Sequence, residues 1–577
     1  MKGYFQRLLR IDLSAKSCSY ENIPDPLLAE VLGGKGLGTR LMTAEIPKNA
    51  DPLAPENCLI IATGPLTGTS MWGQSRFAVF SKSPATGGYG ESYCGGTLAP
   101  KIKGCGIDAV IIQGKAPTLT YVTINEQGAE FHDAPDLRGV ETYAAEREIL
   151  ANSPSGSSAM VIGPAGEKLA RLACIKSDRW RSLGRGGMGA VMGSKNLKGI
   201  TFAGSKRAAI ADKKLLAEVI RGVARKARGS AAAETYVKFG TSSVVGVTNS
   251  QNCFPTRYWK SGHFAGWERL SADYMLEHFE VRNHGCPNCF LQCTKRTVIR
   301  EGRHKGLEIE GPEYETIYAL GGLNCIDSLE EVAYLNDICD RLGIDTISAG
   351  NLAAFAVEAF QRGKSDFPIE YNQPDRVAEL FRMIAAREGI GDLLAQGIRE
   401  AAEVLGLEDI AVHVKGLEPA GFDPRVLKGM GLSYATAARG ACHLRGTFYK
   451  AELSGQIDKD TIQGKAALHI DYEDRAALFD CLILCRFFRD FLFWEEIGTL
   501  IEAATGKILS KQELEGISNR ITEDTRRFNL REGIGPGDDT LPPRLLKEAT
   551  QEGSSLSPSD LGIMIGEYNR LRKRRDD

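Results

Sequence analysis

Three cysteines fall within eight residues of this chain, in Cys286-Pro-Asn-Cys289-Phe-Leu-Gln-Cys293. The spacing C-x2-C-x3-C lets three thiolates fold round one face of a metal or cluster, and a chance trio at this density is rare. Zinc sites usually bring paired C-x2-C halves. A cubane iron–sulfur cluster takes a trio plus a fourth thiolate from elsewhere in the chain. The spacing therefore favours a cluster over zinc, with three unrelated thiols as the remaining reading. Cys481 and Cys485 are the candidate fourth ligands. The other cysteines are scattered singly and read as small buried hydrophobes. Fourteen cysteines in 577 residues are too sparse for a disulfide scaffold, and a reducing compartment is expected.

Composition excludes several classes. A formal net charge of −2 argues against nucleic acid as the main partner, because phosphate binding needs a basic surface. The most apolar late stretch, 477–494, is interrupted by Asp480, Arg486, Arg489 and Asp490, so no membrane span is expected. The N-terminus lacks the apolar core of a secretory signal, which points to a cytoplasmic protein. Glycine is abundant, 64 of 577 residues, implying many tight turns and close backbone approaches.

The chain changes character near residue 210. Before it, Leu9, Ile11 and Leu13 alternate with polar residues, and apolar runs at 58–62, 78–80, 109–112, 121–124 and 159–162 are punctuated by Gly64-Pro65, Gly114 and Gly163-Pro164. This reads as mostly antiparallel sheet. After it, helical periodicity dominates: Asp212 caps a helix bearing Leu215, Leu216, Val219, Ile220 and Val223, and further helices are expected over 329–342, 376–388 and 476–497. Loops are expected over 365–375 and 533–543, and the basic tail 570–575 reads as a solvated end. No fixed-period repeat is visible.

Three motifs are decoys. The glycines of Gly33-Gly34-Lys35-Gly36-Leu37-Gly38 are too closely spaced for a dinucleotide fingerprint and follow a helix-like stretch rather than a strand. Gly193-Ser194-Lys195 reverses the order that a P-loop needs. The cysteine trio runs opposite to the C-x3-C-x2-C of radical S-adenosylmethionine enzymes.

Two acidic phrases accompany the trio. Asp340-Arg-Leu-Gly343-Ile-Asp345 has the form D-x-x-G-[LI]-D, and Asp480-Cys-Leu-Ile-Leu-Cys485 is a degenerate copy ending in cysteine. Two similar loops imply two similar ligands, or two halves of one. Together with Arg76-Phe-Ala-Val-Phe-Ser-Lys-Ser-Pro84, Gly184-Arg-Gly-Gly-Met-Gly-Ala-Val-Met-Gly-Ser-Lys195, Gly311-Pro-Glu-Tyr-Glu-Thr316 and Arg439-Gly-Ala-Cys-His-Leu-Arg-Gly446, the chain resembles the tungsten-containing aldehyde:ferredoxin oxidoreductase family along most of its length.

The resemblance implies an α+β fold: an N-terminal double β-sheet base (1–208) followed by two mostly α-helical domains (209–418 and 419–577) enclosing the cofactor. The implied cofactor is tungsten, with molybdenum as the alternative, held between two pterin dithiolenes beside a [4Fe–4S] cluster. Cys286, Cys289, Cys293 and Cys485 are the implied cluster ligands, and Cys481 becomes a neighbouring helix residue. Arg76 is implied to bridge cluster and pterin. Asp340, Asp345 and Asp480, with the neighbouring Ile344, Thr346 and Leu484, are implied to meet the donor-rich pterin rings; an ionised carboxylate is acceptor-only, which suits that edge. Arg185, Gly186, Gly187, Arg439 and Gly440 are implied to approach the pterin phosphates. A Mg2+ joining those phosphates would use backbone carbonyls near Tyr93, Gly95 and Gly186; the family's usual Asn is Tyr93 here.

The resemblance also supplies a reaction, R-CHO + H2O → R-COO⁻ + 3 H⁺ + 2 e⁻. Glu313 is implied as general base and His443 as hydrogen-bond donor to the substrate oxygen, with exchange of roles as the alternative. The implied acceptor is ferredoxin or an iron–sulfur subunit, with or without a flavoprotein beyond it. The family's archaeal members carry an E-x-x-H metal pair at a homodimer interface. Here the stretch reads Glu331-Val-Ala-Tyr334, so no such metal is expected and a homodimer is less strongly implied. Two competing readings are the catalytic subunit of a complex that reduces aromatic CoA thioesters, and a non-catalytic zinc or iron–sulfur scaffold.

Overall fold

The computed structural model describes residues 1–573. Its N-terminal part is two six-stranded sheets packed face to face. The first contains β1 (Arg7–Asp12), β2 (Ser17–Asn22), β3 (Leu59–Ala62), β4 (Phe77–Lys82), β5 (Tyr89–Cys94) and β6 (Ala109–Gln113), in the order β2-β1-β6-β3-β4-β5. The second contains β7 (Thr120–Ile124), β8 (Ala129–Asp133), β9 (Ser158–Val161), β10 (Ile175–Ser177), β11 (Arg181–Leu183) and β12 (Leu197–Phe202), in the order β8-β7-β12-β9-β10-β11. Pairing is antiparallel except for β1 with β6 and β7 with β12. All five expected apolar strands are present.

The two sheets share one topology: each strand of the first is matched by the strand six places later in the second, parallel pair included. The helix Gly34–Glu45 between β2 and β3 is matched by Thr142–Ala151 between β8 and β9. This duplication is compatible with the absence of a fixed-period repeat. It escapes a search for a fixed period because the connecting loops differ in length, so the offset between matching strands is not constant. Alternation sorts the strands as a half-buried sheet requires. Leu9, Ile11, Ile61 and Val79 face Val122, Met160, Ile175 and Ile200 across the inter-sheet core, whereas Ile60, Phe80 and Ile111 pack on the other face against Leu37, Met42 and Phe528.

The change at residue 210 holds. Asp212 Oδ1 accepts from the backbone N–H of Lys214 and Leu215 and caps the helix Lys213–Ala227. The helices Leu329–Leu342 and Pro374–Ala386 match expectation. The stretch 476–497 does not form one helix: Lys465–Leu482 ends where Ile483 turns left-handed (φ 55°, ψ 47°), and Trp494–Thr505 starts anew. The helical part also carries an unexpected three-stranded antiparallel sheet of β13 (Phe279–His284), β14 (Thr294–Ile299) and β15 (Glu308–Glu310), short strands whose polar faces mask their period. The cysteine trio is the loop between β13 and β14. At the chain end Arg572 is buried and paired with Glu473 and Asp474, so that cation is not solvated; residues 574 and 575 lie outside the described part. Among the described residues no helix is long and apolar enough to cross a membrane.

The two Gly-Pro pairs mark matching positions after β3 and β9. A Cβ on Gly64 would stand 2.5 Å from the Leu482 carbonyl oxygen, and one on Gly163 2.3 Å from that of Leu342. These two leucines belong to the two acidic phrases, so each glycine seats one phrase on one sheet. Gly64→Ala and Gly163→Ala should each destabilise the fold by about 1–3 kcal/mol through overpacking. Gly222→Ala, in the helix Lys213–Ala227 with nothing within 4 Å of the new methyl, should raise stability slightly. Thermal melts of the three variants check this contrast.

Candidate active site

Both acidic phrases end a helix in the same way. Gly343 (φ 73°, ψ 50°) and Ile483 take the left-handed turn, and the next residue donates back to the helix: Ile344 N–H to the Cys339 carbonyl (2.9 Å), Leu484 N–H to the Phe479 carbonyl (2.8 Å). The residue after that ties each loop to its sheet domain. Asp345 N–H donates to the Leu172 carbonyl (3.0 Å), and Cys485 N–H to the Gly73 carbonyl (2.9 Å). The first loop thus sits on the second sheet's half and the second loop on the first sheet's half.

The carboxylates meet buried cations. Asp340 accepts from Lys176 Nζ (2.5 Å) and Asn336 (2.9 Å); burial pushes its carboxyl upward against the pull of Lys176. Asp345 accepts from Arg185 Nε (2.9 Å) and Ser348 (3.0 Å) and caps the helix Thr346–Gln361. Asp480 accepts from Arg486 (2.6 Å) and from Arg445. Glu91, on β5, takes Lys35 (3.0 Å) and Arg445 (2.9 Å) and accepts from the Tyr93 hydroxyl (2.7 Å). Burial would raise the Glu91 carboxyl, but Arg445, Lys35 and Arg439 hold it below the usual carboxylate range. The glycines of the first decoy lie here: Gly34 packs under the Asp480 carbonyl, and Lys35 is the partner of Glu91.

This wall holds more donor capacity than the protein satisfies. Arg185 Nη2, Arg439 Nε, Arg445 Nε and Arg486 Nε are buried without a hydrogen-bond partner. Burial pulls the Arg486 guanidinium down, with Asp480 opposing. Buried cations with unmet N–H groups between two matching acidic loops suit a two-part, acceptor-rich polyanion. Gly186 (φ 86°) and Gly187 (φ 75°) are consecutive left-handed residues at the start of the helix Met188–Ser194; the Gly186 carbonyl accepts from Ser83 (2.8 Å). Gly440 (φ 93°) precedes Ala441, whose carbonyl accepts from Arg185 (3.3 Å).

A further thiol, Cys485, comes near the trio from far along the sequence. Cys286, Cys289 and Cys293 are each raised first by burial, and Cys485 is a further charge acting on all three. Among the described residues no three His, Cys, Asp or Glu side chains close round a single ion. Gly96 N–H donates to Cys286 Sγ (3.2 Å), and a Cβ on Gly95 would stand 2.9 Å from that sulfur, so the end of β5 abuts the trio. Arg76 Nη1 lies 4.0 Å from Cys485 Sγ; burial opposes its charge, and the Cys485 and Cys286 sulfurs favour it. Cys481 is fully buried in the helix Lys465–Leu482.

The two residues of the expected acid–base pair have different immediate neighbours. The glutamate in contact with His443 is Glu315. Glu313 accepts from Thr241 Oγ1 and lies on the cysteine side, where it acts on Cys293. It is the extended residue before the helical turn Tyr314–Thr316, which turns Glu315 to the other side. Glu315 Oε1 stands 3.6 Å from His443 Nε2. Burial raises the Glu315 carboxyl to about 8, against the Gly421 N–H and Arg185. Burial lowers His443 well below its ordinary range, helped by Arg439 and Arg185, so its imidazole is neutral. Glu315 Oε1 and His443 Nδ1 both lack a hydrogen-bond partner. The backbone then continues as a π-helix, Ile317–Gly322, a form that often marks functional positions. Cys442, read as packing, accepts from Arg439 Nη2 (2.9 Å); burial raises it, but Arg439 and Arg445 draw it to about 7.

Sequence reasoning missed Glu315, Glu91, Lys176, Arg445 and Arg486 as site residues. Glu315 and Arg445 stand inside phrases already singled out, and Arg486 follows the fourth cysteine. Glu91 and Lys176 carry no local signal, because only strand pairing brings them to the site.

Comparison with known proteins follows this geometry. Residues 8–204 match the N-terminal domain of aldehyde ferredoxin oxidoreductase, and residues 218–574 match its domains 2 and 3. The chain is 36% identical over 596 residues to the tungsten-containing aldehyde ferredoxin oxidoreductase of Pyrococcus furiosus, covering 100% of this chain and 97% of that one. It is 29% identical to the WOR-like subunit of an aliphatic sulfonate oxidoreductase of the same organism, covering 98% and 94%. Among solved structures, the active site complex of benzoyl coenzyme A reductase with 1,5-dienoyl-CoA superposes with a TM-score of 0.87 at 22% identity, covering 100% of this chain and 95% of that one, and shows the same fold. Two matching sheets, two matching acidic loops and full-length similarity lead to one conclusion: the chain belongs to the aldehyde ferredoxin oxidoreductase family.

Proposed function

We propose that this protein oxidises aldehydes to carboxylic acids, R-CHO + H2O → R-COO⁻ + 3 H⁺ + 2 e⁻, with ferredoxin or an iron–sulfur subunit as acceptor. The observation that carries the reading is the pair Glu315 and His443, largely shielded groups whose facing atoms Oε1 and Nε2 stand 3.6 Å apart beside the cationic wall, with Glu315 Oε1 and, on the ring's other side, His443 Nδ1 left without a hydrogen-bond partner. Identity to named aldehyde oxidoreductases, at 36%, exceeds the 29% to a sulfonate oxidoreductase subunit.

When bound, a tungsten bis-pterin centre would supply the acceptor for the electron pair leaving the aldehyde carbon. The residues that would hold it are Asp340, Asp345 and Asp480 at the ring edges, and Arg185, Arg439 and Arg76 at its anionic parts. The backbone at Gly186 and Gly187 lets main chain come near the phosphates, where carbonyls from this region and Tyr93 would meet Mg2+. Cys286, Cys289, Cys293 and Cys485 would hold the iron–sulfur cluster.

Glu315 acts as general base, taking the proton from water or the aldehyde hydrate. The neutral His443 imidazole donates its single N–H to the substrate oxygen, opposing charge build-up there. Only a small part of either side chain reaches solvent, 14% for His443 and 19% for Glu315, which limits bulk water at the step. Glu313, tied by Thr241, serves the cysteine side instead.

Glu315→Gln should lower kcat by about 10²–10⁴-fold with tungsten and iron content unchanged. Glu313→Gln should retain substantial turnover, and the opposite ranking would return the base to Glu313. Because burial raises the Glu315 carboxyl to about 8, and a base must be deprotonated, kcat/KM should rise with pH through that value; a profile flat from about pH 6.5 to 9 would exclude this base. Elemental analysis of anaerobically purified protein should give about one tungsten and four irons per chain. Cys485→Ser should lower the iron content, and Cys481→Ser should not.

A further inference from the structure

We propose that Arg489 binds a carboxylate on the substrate, and that the natural substrate is an aldehyde carrying a carboxylate across a ring-sized apolar body. This deepens the aldehyde-oxidising reading and rests on it.

Arg489 is only 9% exposed. Its hydrogen bonds run to neutral acceptors, the Arg486 carbonyl (2.9 Å), the Tyr236 side chain and, at the long limit, the Tyr449 hydroxyl (3.4 Å). Its Nε is buried without a partner. The adjacent carboxylate, Asp490, is paired with Lys450 and favours the Arg489 charge only from beyond ion-pair distance. Among the described residues no carboxylate lies within ion-pair distance of Arg489, an arrangement that burial makes costly unless an anion completes it.

Its position ties this cation to the reacting centre. Tyr449 stacks on Phe422 with ring centroids 4.0 Å apart, and the two rings stand 6.2 and 6.1 Å from the His443 ring. Tyr449 therefore has its ring beside His443 and its hydroxyl at Arg489. An aldehyde presented to His443 and Glu315 would lie along this aromatic wall, with its far end at Arg489, about one phenol length away. The guanidinium fork suits a carboxylate. The step is ⁻OOC-R-CHO + H2O → ⁻OOC-R-COO⁻ + 3 H⁺ + 2 e⁻, the electrons passing to a one-electron acceptor such as methyl viologen in the assay.

The test compares 4-formylbenzoate with benzaldehyde on the metal-replete holoenzyme. The wild type should favour the charged aldehyde in kcat/KM by about ten- to a hundredfold, the range of a charge-assisted hydrogen bond. Arg489→Gln should collapse that ratio towards one, mainly through KM, and Arg489→Lys should restore much of it; melting temperature and metal content monitor folding. An absent preference in the wild type, or a ratio unchanged in Arg489→Gln, overturns the proposal. Calorimetric titration of the same proteins with terephthalate and benzoate separates the two levels. If metal-replete enzyme turns over neither aldehyde, the aldehyde reading fails; tighter terephthalate binding that Arg489→Gln abolishes would still support the anion site, and equal binding would overturn it.

Discussion

The burial of guanidinium charge governs this structure. Arg76, Arg185, Arg439, Arg445 and Arg486 converge between the sheets and the helical part, where an ion out of water costs several kcal/mol unless paired. The protein offsets part of that cost with Asp345, Asp480 and Glu91 and leaves the remaining N–H groups aimed inward. Both acidic loops, the β5 strand and the left-handed helix ends follow from the need to bring carboxylates to this wall. A polyanionic occupant would supply the balance the side chains leave unmet.

The duplicated base explains why one wall can serve two similar ligand halves. Matching strands carry matching helices, and matching Gly-Pro corners seat matching loops. The copies have diverged where chemistry differs: the last position is Asp345 in one loop and Cys485 in the other. One half thus keeps a carboxylate beside Arg185 while the other gives a thiol to the cysteine trio. Fold does not select the reaction. A benzoyl coenzyme A reductase complex shares the architecture at 22% identity, so the activity must be argued from Glu315, His443 and their neighbours.

Much of this was legible in the sequence, for identifiable reasons. Alternation exposed β1, and Asp212 announced the helix that follows it, because both are local signals. The joint spacing of Asp340, Asp345 and Asp480 marked the acidic loops as a related pair. The sheet β13-β14-β15 was hidden, since short strands with exposed charged faces lack an apolar period. The helix break at Ile483 was hidden because a β-branched residue rarely adopts the left-handed turn, and only the match to Gly343 reveals it. Telling Glu315, which meets His443, from Glu313, which meets Thr241, needed the backbone direction after Pro312, which two glutamates flanking one tyrosine do not disclose.

The crossed seating of the loops sets an order of assembly. The sheet formed by residues 7–113 receives the loop that ends at Cys485, and the sheet formed by residues 120–202 receives the loop that ends at Asp345. On a ribosome adding about 5–20 residues per second, the first sheet emerges roughly 20–75 s before its loop does. The chamber cannot close during that interval, and its cationic floor stays open to solution until nearly all the chain exists. An occupant that needs both halves of this wall would meet them together only on the finished chain, with the last helices acting as the closing half of a mould whose first half was cast long before.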